Sequence, residues 1–151
     1  MSTDVDSIRE VFAQVPLLSR LSDRQRERLA RLATTRSYRE GSRIVSQGDT
    51  SMALYVVLSG HARIDRESEA GKSVKVDEVT HGGFFGELGL IEDLPRAATV
   101  TAEEPTECAL LAKWDFQNEL RTDPDIALAL LPVLGARIRE LDDQLVRLHH
   151  S

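Results

Sequence analysis

A chain of 151 residues with 41% hydrophobic content can bury one good core and would be cramped as two, so a single domain is expected. A formal charge of −6 disfavours a nucleic-acid binder, which usually carries a basic excess. The lone cysteine, Cys108, excludes a disulfide within the chain, the acidic opening Met1–Asp6 has no apolar signal region, and no run is long enough to span a membrane, so a cytoplasmic protein is expected.

In chain order, Val5, Ile8, Val11, Phe12 and Val15 recur at helical spacing, and Ser22 with Gln25 forms a capping box before Leu29 and Leu32. Arg20, Arg24, Arg26, Arg28, Arg31, Arg36, Arg39 and Arg43 crowd this first third. Asp23, Glu27 and Glu40 are interleaved with them, and no aromatic sits among the helical arginines to stack on bases, so a solvated face is expected. From Tyr38 onward the pattern turns to short strands broken by glycine: Arg43–Ser46, Leu54–Leu58, Ala62–Asp65, Val74–Val79, Ala97–Ala102 and Cys108–Leu111. Ala70-Gly71-Lys72-Ser73 ends like a triphosphate loop, yet the required earlier glycine is Arg66, so a hairpin turn is the better reading. Past Trp114 the chain returns to helix, over Asp115–Arg121 and again from Pro124.

The last helical stretch contains Pro132 and Gly135, which imply either a kink or one helix ending near Leu131 and another opening with Pro132. Ile138, Leu141, Leu145 and Leu148 form a narrow stripe that falls short of three or four heptads. The stripe is expected to pack on the chain's own body, leaving a monomer or a weak homodimer. Only the first few residues and His149–Ser151 are expected to fray.

The most informative segment is Gly83–Val100. Between Gly82 and Ala102 its only cation is Arg96, among Glu87, Glu92 and Asp93, so it is no generic polyanion surface. A glycine turn at Gly86 leading into a short apolar helical turn presents backbone N–H groups to an anion. Arg96 adds a planar fork of donors for phosphate oxygens, with Pro95 restricting the backbone before it. Glu87 accepts only, so it suits a sugar hydroxyl and repels a phosphate. Ala97 and Ala98 let the backbone approach a ligand closely.

These residues closely resemble the phosphate-binding cassette of the cyclic-nucleotide-binding domain family, to which the regulatory subunits of cAMP-dependent protein kinase and the catabolite activator proteins belong. The resemblance covers nearly the whole chain. It implies an α+β fold: an antiparallel β-roll or jelly-roll barrel (37–112, with the cassette at 83–100) between N-terminal helices (1–36) and C-terminal helices (113–151), and a short helix inserted between strands. It further implies that Glu87 takes the ribose 2′-hydroxyl and Arg96 the cyclic phosphate, that Gly86, Leu88, Gly89, Ala97 and Ala98 line the ligand, and that Val74, Val76 and Phe85 stand against the base. The implied ligand is cAMP, with cGMP possible: Ala97 follows the arginine, where members favouring cGMP often carry a hydroxyl. Binding is expected to shift the region from Pro132 to Leu148 and so inform an unknown protein effector.

Other chemistries find less support. Gly83, Gly86 and Gly89 lack dinucleotide spacing and a surrounding βαβ unit. His61 and His81 fall short of a barrel metal site, no nucleophile set assembles, and catalysis is not expected. No helix-turn-helix follows Leu148, so direct nucleic-acid binding is not expected. Two alternatives to a nucleotide sensor stay open: an interaction module that binds no nucleotide, or the sensor part of a longer transcription regulator, kinase or channel.

Overall fold

The computed structural model describes residues 5–150, with side chains through residue 149. Met1–Asp4 and Ser151, expected to fray, lie outside the described residues. Helix α1 (Val5–Phe12), a 3-10 turn (Pro16–Leu18) and helix α2 (Asp23–Leu32) open the chain. The α2 capping box forms as expected: Gln25 N donates to Ser22 Oγ at 3.1 Å and Ser22 N donates to Gln25 Oε1 at 2.9 Å.

Eight strands follow: β1 (Thr34–Tyr38), β2 (Arg43–Val45), β3 (Ala53–Ser59), β4 (Ala62–Glu67), β5 (Ser73–Val79), β6 (Phe84–Phe85), β7 (Thr99–Ala102) and β8 (Thr106–Ala112). They form two antiparallel four-stranded sheets, ordered β1-β8-β3-β6 and β2-β7-β4-β5. The β-roll is thus a pair of facing sheets and not a closed barrel. Helices α3 (Lys113–Thr122) and α4 (Pro124–His150) complete the chain, and a 3-10 turn, Glu87–Leu90, is inserted between β6 and β7 as expected.

The unbroken apolar run of β3 follows from burial on both faces. Ala53, Tyr55 and Val57 point between the sheets with Cys108 and Leu110 of β8, whereas Leu54 and Val56 point with Ala109 and Leu111 toward the helices. There they meet Phe12, Leu29, Phe116, Ile126 and Leu90, so the inserted turn is anchored in the helical core through Leu90. Burial between the sheets pushes the Cys108 thiol up to about 12.

Three features differ from the sequence expectations. Strand β1 begins at Thr34, before the expected onset of strands at Tyr38: its ladder with β8 forms the strand, and Thr34–Tyr38 carries no apolar alternation that would mark it in the sequence. Helix α4 runs unbroken through Pro132, which removes one backbone bond without ending the helix, so the two-helix alternative does not hold. The stripe Ile138, Leu141, Leu145 and Leu148 does not pack on the body: residues 138–149 are all exposed, and these four are 54–71% accessible. The inward face of α4 is Ile126, Leu130 and Leu134, and beyond Arg137 the helix leaves the body.

Candidate ligand-binding site

A cavity of about 360 Å³ opens between the inserted turn and the β2-β7-β4-β5 sheet, within the usual range of about 300–1,000 Å³ for small-molecule sites. Of the residues expected there, Gly86, Glu87, Leu88, Gly89, Arg96, Ala97, Ala98 and Phe85 all line it. Val74 and Val76 are not among the lining residues and are 56% and 54% exposed. Val74 pairs with Arg66, outward along the hairpin from Ile64. Ile64, with Val45 and Val100, supplies the aliphatic wall instead.

Arg96 is positioned almost entirely by the sheets. Its N–H donates to Asp49 O at 2.6 Å, its carbonyl accepts from Gly48 N at 2.9 Å, and Ser51 N donates to Leu94 O at 2.9 Å, so the cassette is stitched to the loop before β3. Arg96 is 8% exposed. Its Nη2 donates to Ala53 O at 3.0 Å, and its Cζ lies 5.2 Å from the centroid of the Tyr55 ring, which stacks in turn on Phe85. Burial pulls the guanidinium below its ordinary value, opposed by Tyr55 and Asp49, yet the group remains charged. Nη1 has no hydrogen-bond partner, and no ion pair among the described residues involves Arg96. The donor fork is therefore half committed to the protein, with its other half left unpartnered in a residue that lines the cavity.

Gly86 leaves room for this arrangement. Its φ of +84° is a left-handed conformation that suits glycine, and a Cβ there would collide with Arg96 Nη1 and lie 2.6 Å from Ala53 O.

Glu87 is 7% exposed and is held by elements outside the sheets. Its Oε2 accepts from Leu17 N at 2.6 Å, and its Oε1 accepts from Arg137 Nη1 at 3.3 Å. Sequence reasoning missed Arg137, although a signal existed: Ile126, Leu130, Leu134 and Arg137 follow one another at helical spacing along the inward face of α4. It also missed Ser51, for which the sequence carried none.

The chain belongs to the family of the cyclic nucleotide-binding domain, whose model matches residues 35–123. A cAMP-dependent protein kinase regulatory subunit from Yarrowia lipolytica is 37% identical over 107 residues, which is 71% of this chain and 28% of that protein. The chain spans about a quarter of the length of the curated relatives it matches. In three dimensions it resembles the N-terminal domain of a transcriptional regulator from Streptomyces coelicolor A3(2), with TM-score 0.82, 30% identity and coverage of 89% of this chain and 94% of that one. It also resembles the Thermus thermophilus catabolite activator protein, with TM-score 0.71, 32% identity and coverage of 89% and 63%.

Proposed function

We propose that this cyclic-nucleotide-binding domain is a cytoplasmic cAMP sensor that binds without chemistry and reports occupancy to a protein effector by moving α4. The observation that carries this is the buried Arg96: one half of its fork is spent on Ala53 O, the other has no partner, and no carboxylate among the described residues forms an ion pair with it. A buried charge without a counter-charge is costly, and an anion in the cavity relieves that cost. The phosphodiester of a cyclic nucleotide carries a single charge, matching a single guanidinium. Beyond it, Glu87 offers acceptor oxygens to a ribose hydroxyl, and Val45, Ile64 and Val100 offer an apolar surface to a base.

The relatives named above include cAMP-dependent kinase regulatory subunits, which supports cAMP and a protein effector. Movement of α4 is supported by Arg137, which ties the helix to Glu87 in the site. A homodimer is favoured by the α4 surface itself. Leu131, Leu134, Ile138, Leu141 and Leu145 alternate at intervals of three and four, and all but Leu134 are exposed, as in the seam of a two-stranded coiled coil.

The test is calorimetric titration of cAMP, then cGMP, into protein refolded free of nucleotide. Micromolar or tighter cAMP binding that disappears in Arg96→Ala is expected. Absence of binding by the parent protein would sink the sensor reading and favour an interaction module.

A further inference from the structure

Arg96 Nη1 is not the only buried polar atom of the cavity without a hydrogen-bond partner; Ser51 Oγ is another. Ser51 is 4% exposed, so its hydroxyl is buried in the cavity wall. A buried donor left unmatched costs about 1–3 kcal/mol, which makes an uncompensated serine at this place a feature that calls for an acceptor.

The two orphaned donors lie against the same short turn. Gly86 and Gly89 are three residues apart, the interval at which a 3-10 turn returns to the same side. A Cβ on Gly86 would collide with Arg96 Nη1, and a Cβ on Gly89 would collide with Ser51 Oγ. That side of the turn therefore has no side chains of its own, and each gap is filled by one of the donors. Their spacing is fixed by backbone bonds as well, because Ser51 N donates to Leu94 O at 2.9 Å while Thr50 bridges Pro95, immediately before Arg96.

A hydroxyl and a guanidinium nitrogen on one wall, both buried and both without acceptors, suit one anion with two exposed oxygens. We infer that Ser51 is a second side-chain donor to the anion held by Arg96, its hydroxyl taking one exocyclic phosphate oxygen while Nη1 takes the other. This rests on the nucleotide reading above and adds a binding residue to it. It also accounts for Gly89, since any side chain there would displace the hydroxyl.

The experiment titrates the parent chain and Ser51→Ala with cAMP and with its two phosphorothioate diastereomers, each of which replaces one exocyclic oxygen by sulfur, a poor acceptor. Ser51→Ala should weaken cAMP binding roughly tenfold, as expected for a hydrogen bond to a charged group. The same tenfold loss should persist on one diastereomer and shrink to within about twofold on the other, whose sulfur stands opposite Ser51. Without ligand the variant should melt no lower than the parent, since it loses an unsatisfied hydroxyl and no bond. Parent-like cAMP affinity in Ser51→Ala overturns the inference, and so does an equal loss on both diastereomers, the mark of a packing role. If the parent itself fails to bind cAMP, the nucleotide reading falls and this role with it, an outcome distinct from a parent that binds and a variant that binds equally well.

Discussion

Arg96 and Glu87 are the two deeply buried charges of one cavity, and they are held from opposite sides of the molecule. The partners of Arg96 among the described residues belong to the β-roll or its loops: Asp49 and Gly48 on its backbone, Ala53 O and the Tyr55 ring on its guanidinium. Glu87 is held instead by Leu17 N, from the turn after α1, and by Arg137 of α4. The proposed anion end is thus built into packed sheets with a donor kept in reserve, while at the proposed sugar end both helical segments hold the side chain, through Leu17 and Arg137. Affinity and signal should therefore be separable.

The largest effect falls on the sheet side. Arg96→Ala removes the proposed charge partner of the phosphate and should cost about 3–5 kcal/mol of cAMP binding, roughly two to four decades in Kd by calorimetry. Gly86→Ala tests the same side without touching a charge. A left-handed φ costs a side-chain-bearing residue about 1–2 kcal/mol, and the new methyl would push Arg96 Nη1 from its place. A lower melting temperature and a loss of roughly tenfold or more in affinity should appear together; parent-like affinity would show that the guanidinium position is not set by this glycine.

Glu87→Ala moves to the other side and should show a different signature. It strands the buried Leu17 N–H, at a cost of about 1–3 kcal/mol of stability. In binding, the parent should prefer cAMP over its 2′-deoxy analogue roughly tenfold, and the variant should lose that preference. Equal binding of the two by the parent would refute the sugar role of Glu87.

The same division explains what was legible in the sequence. The anion side lies within one continuous segment whose glycines, proline and single arginine carry local conformational and charge information, so Gly86, Arg96, Ala97 and Ala98 were all readable before the structure. The aliphatic wall of the cavity was not, because Val45, Ile64 and Val100 look like any strand valine or isoleucine, and Val74 and Val76 alternate just as well while standing on an exposed hairpin. Which of several equivalent strands faces a cavity is decided by how two sheets face each other, and no single strand records that. Ser51 is hidden for the same reason: its orphaned hydroxyl exists only because Gly89, thirty-eight positions away, leaves space for it. The α4 stripe failed differently. Its periodicity was read correctly, but apolar spacing alone does not say whether the partner is the same chain.

The smallest expected change in affinity belongs to Arg137→Ala, and it separates the two sides most sharply. The Arg137 side chain is 45% exposed and its ion pair with Glu87 is long, at 3.3 Å, so solvent screening leaves it worth at most about 1 kcal/mol. Glu87 Oε2 keeps its bond to Leu17, and nothing on the sheet side changes, so cAMP affinity should stay within about fivefold of the parent. Yet this pair is the polar side-chain link between α4 and the cassette among the described residues. If it carries the message, hydrogen exchange over residues 126–149 should respond to cAMP in the parent and no longer respond in the variant, although the pocket is equally filled. A variant that binds normally and still shows the parent's change in α4 protection would move the coupling to Leu90, whose burial with Phe116 and Ile126 is the other route from the turn to the helices.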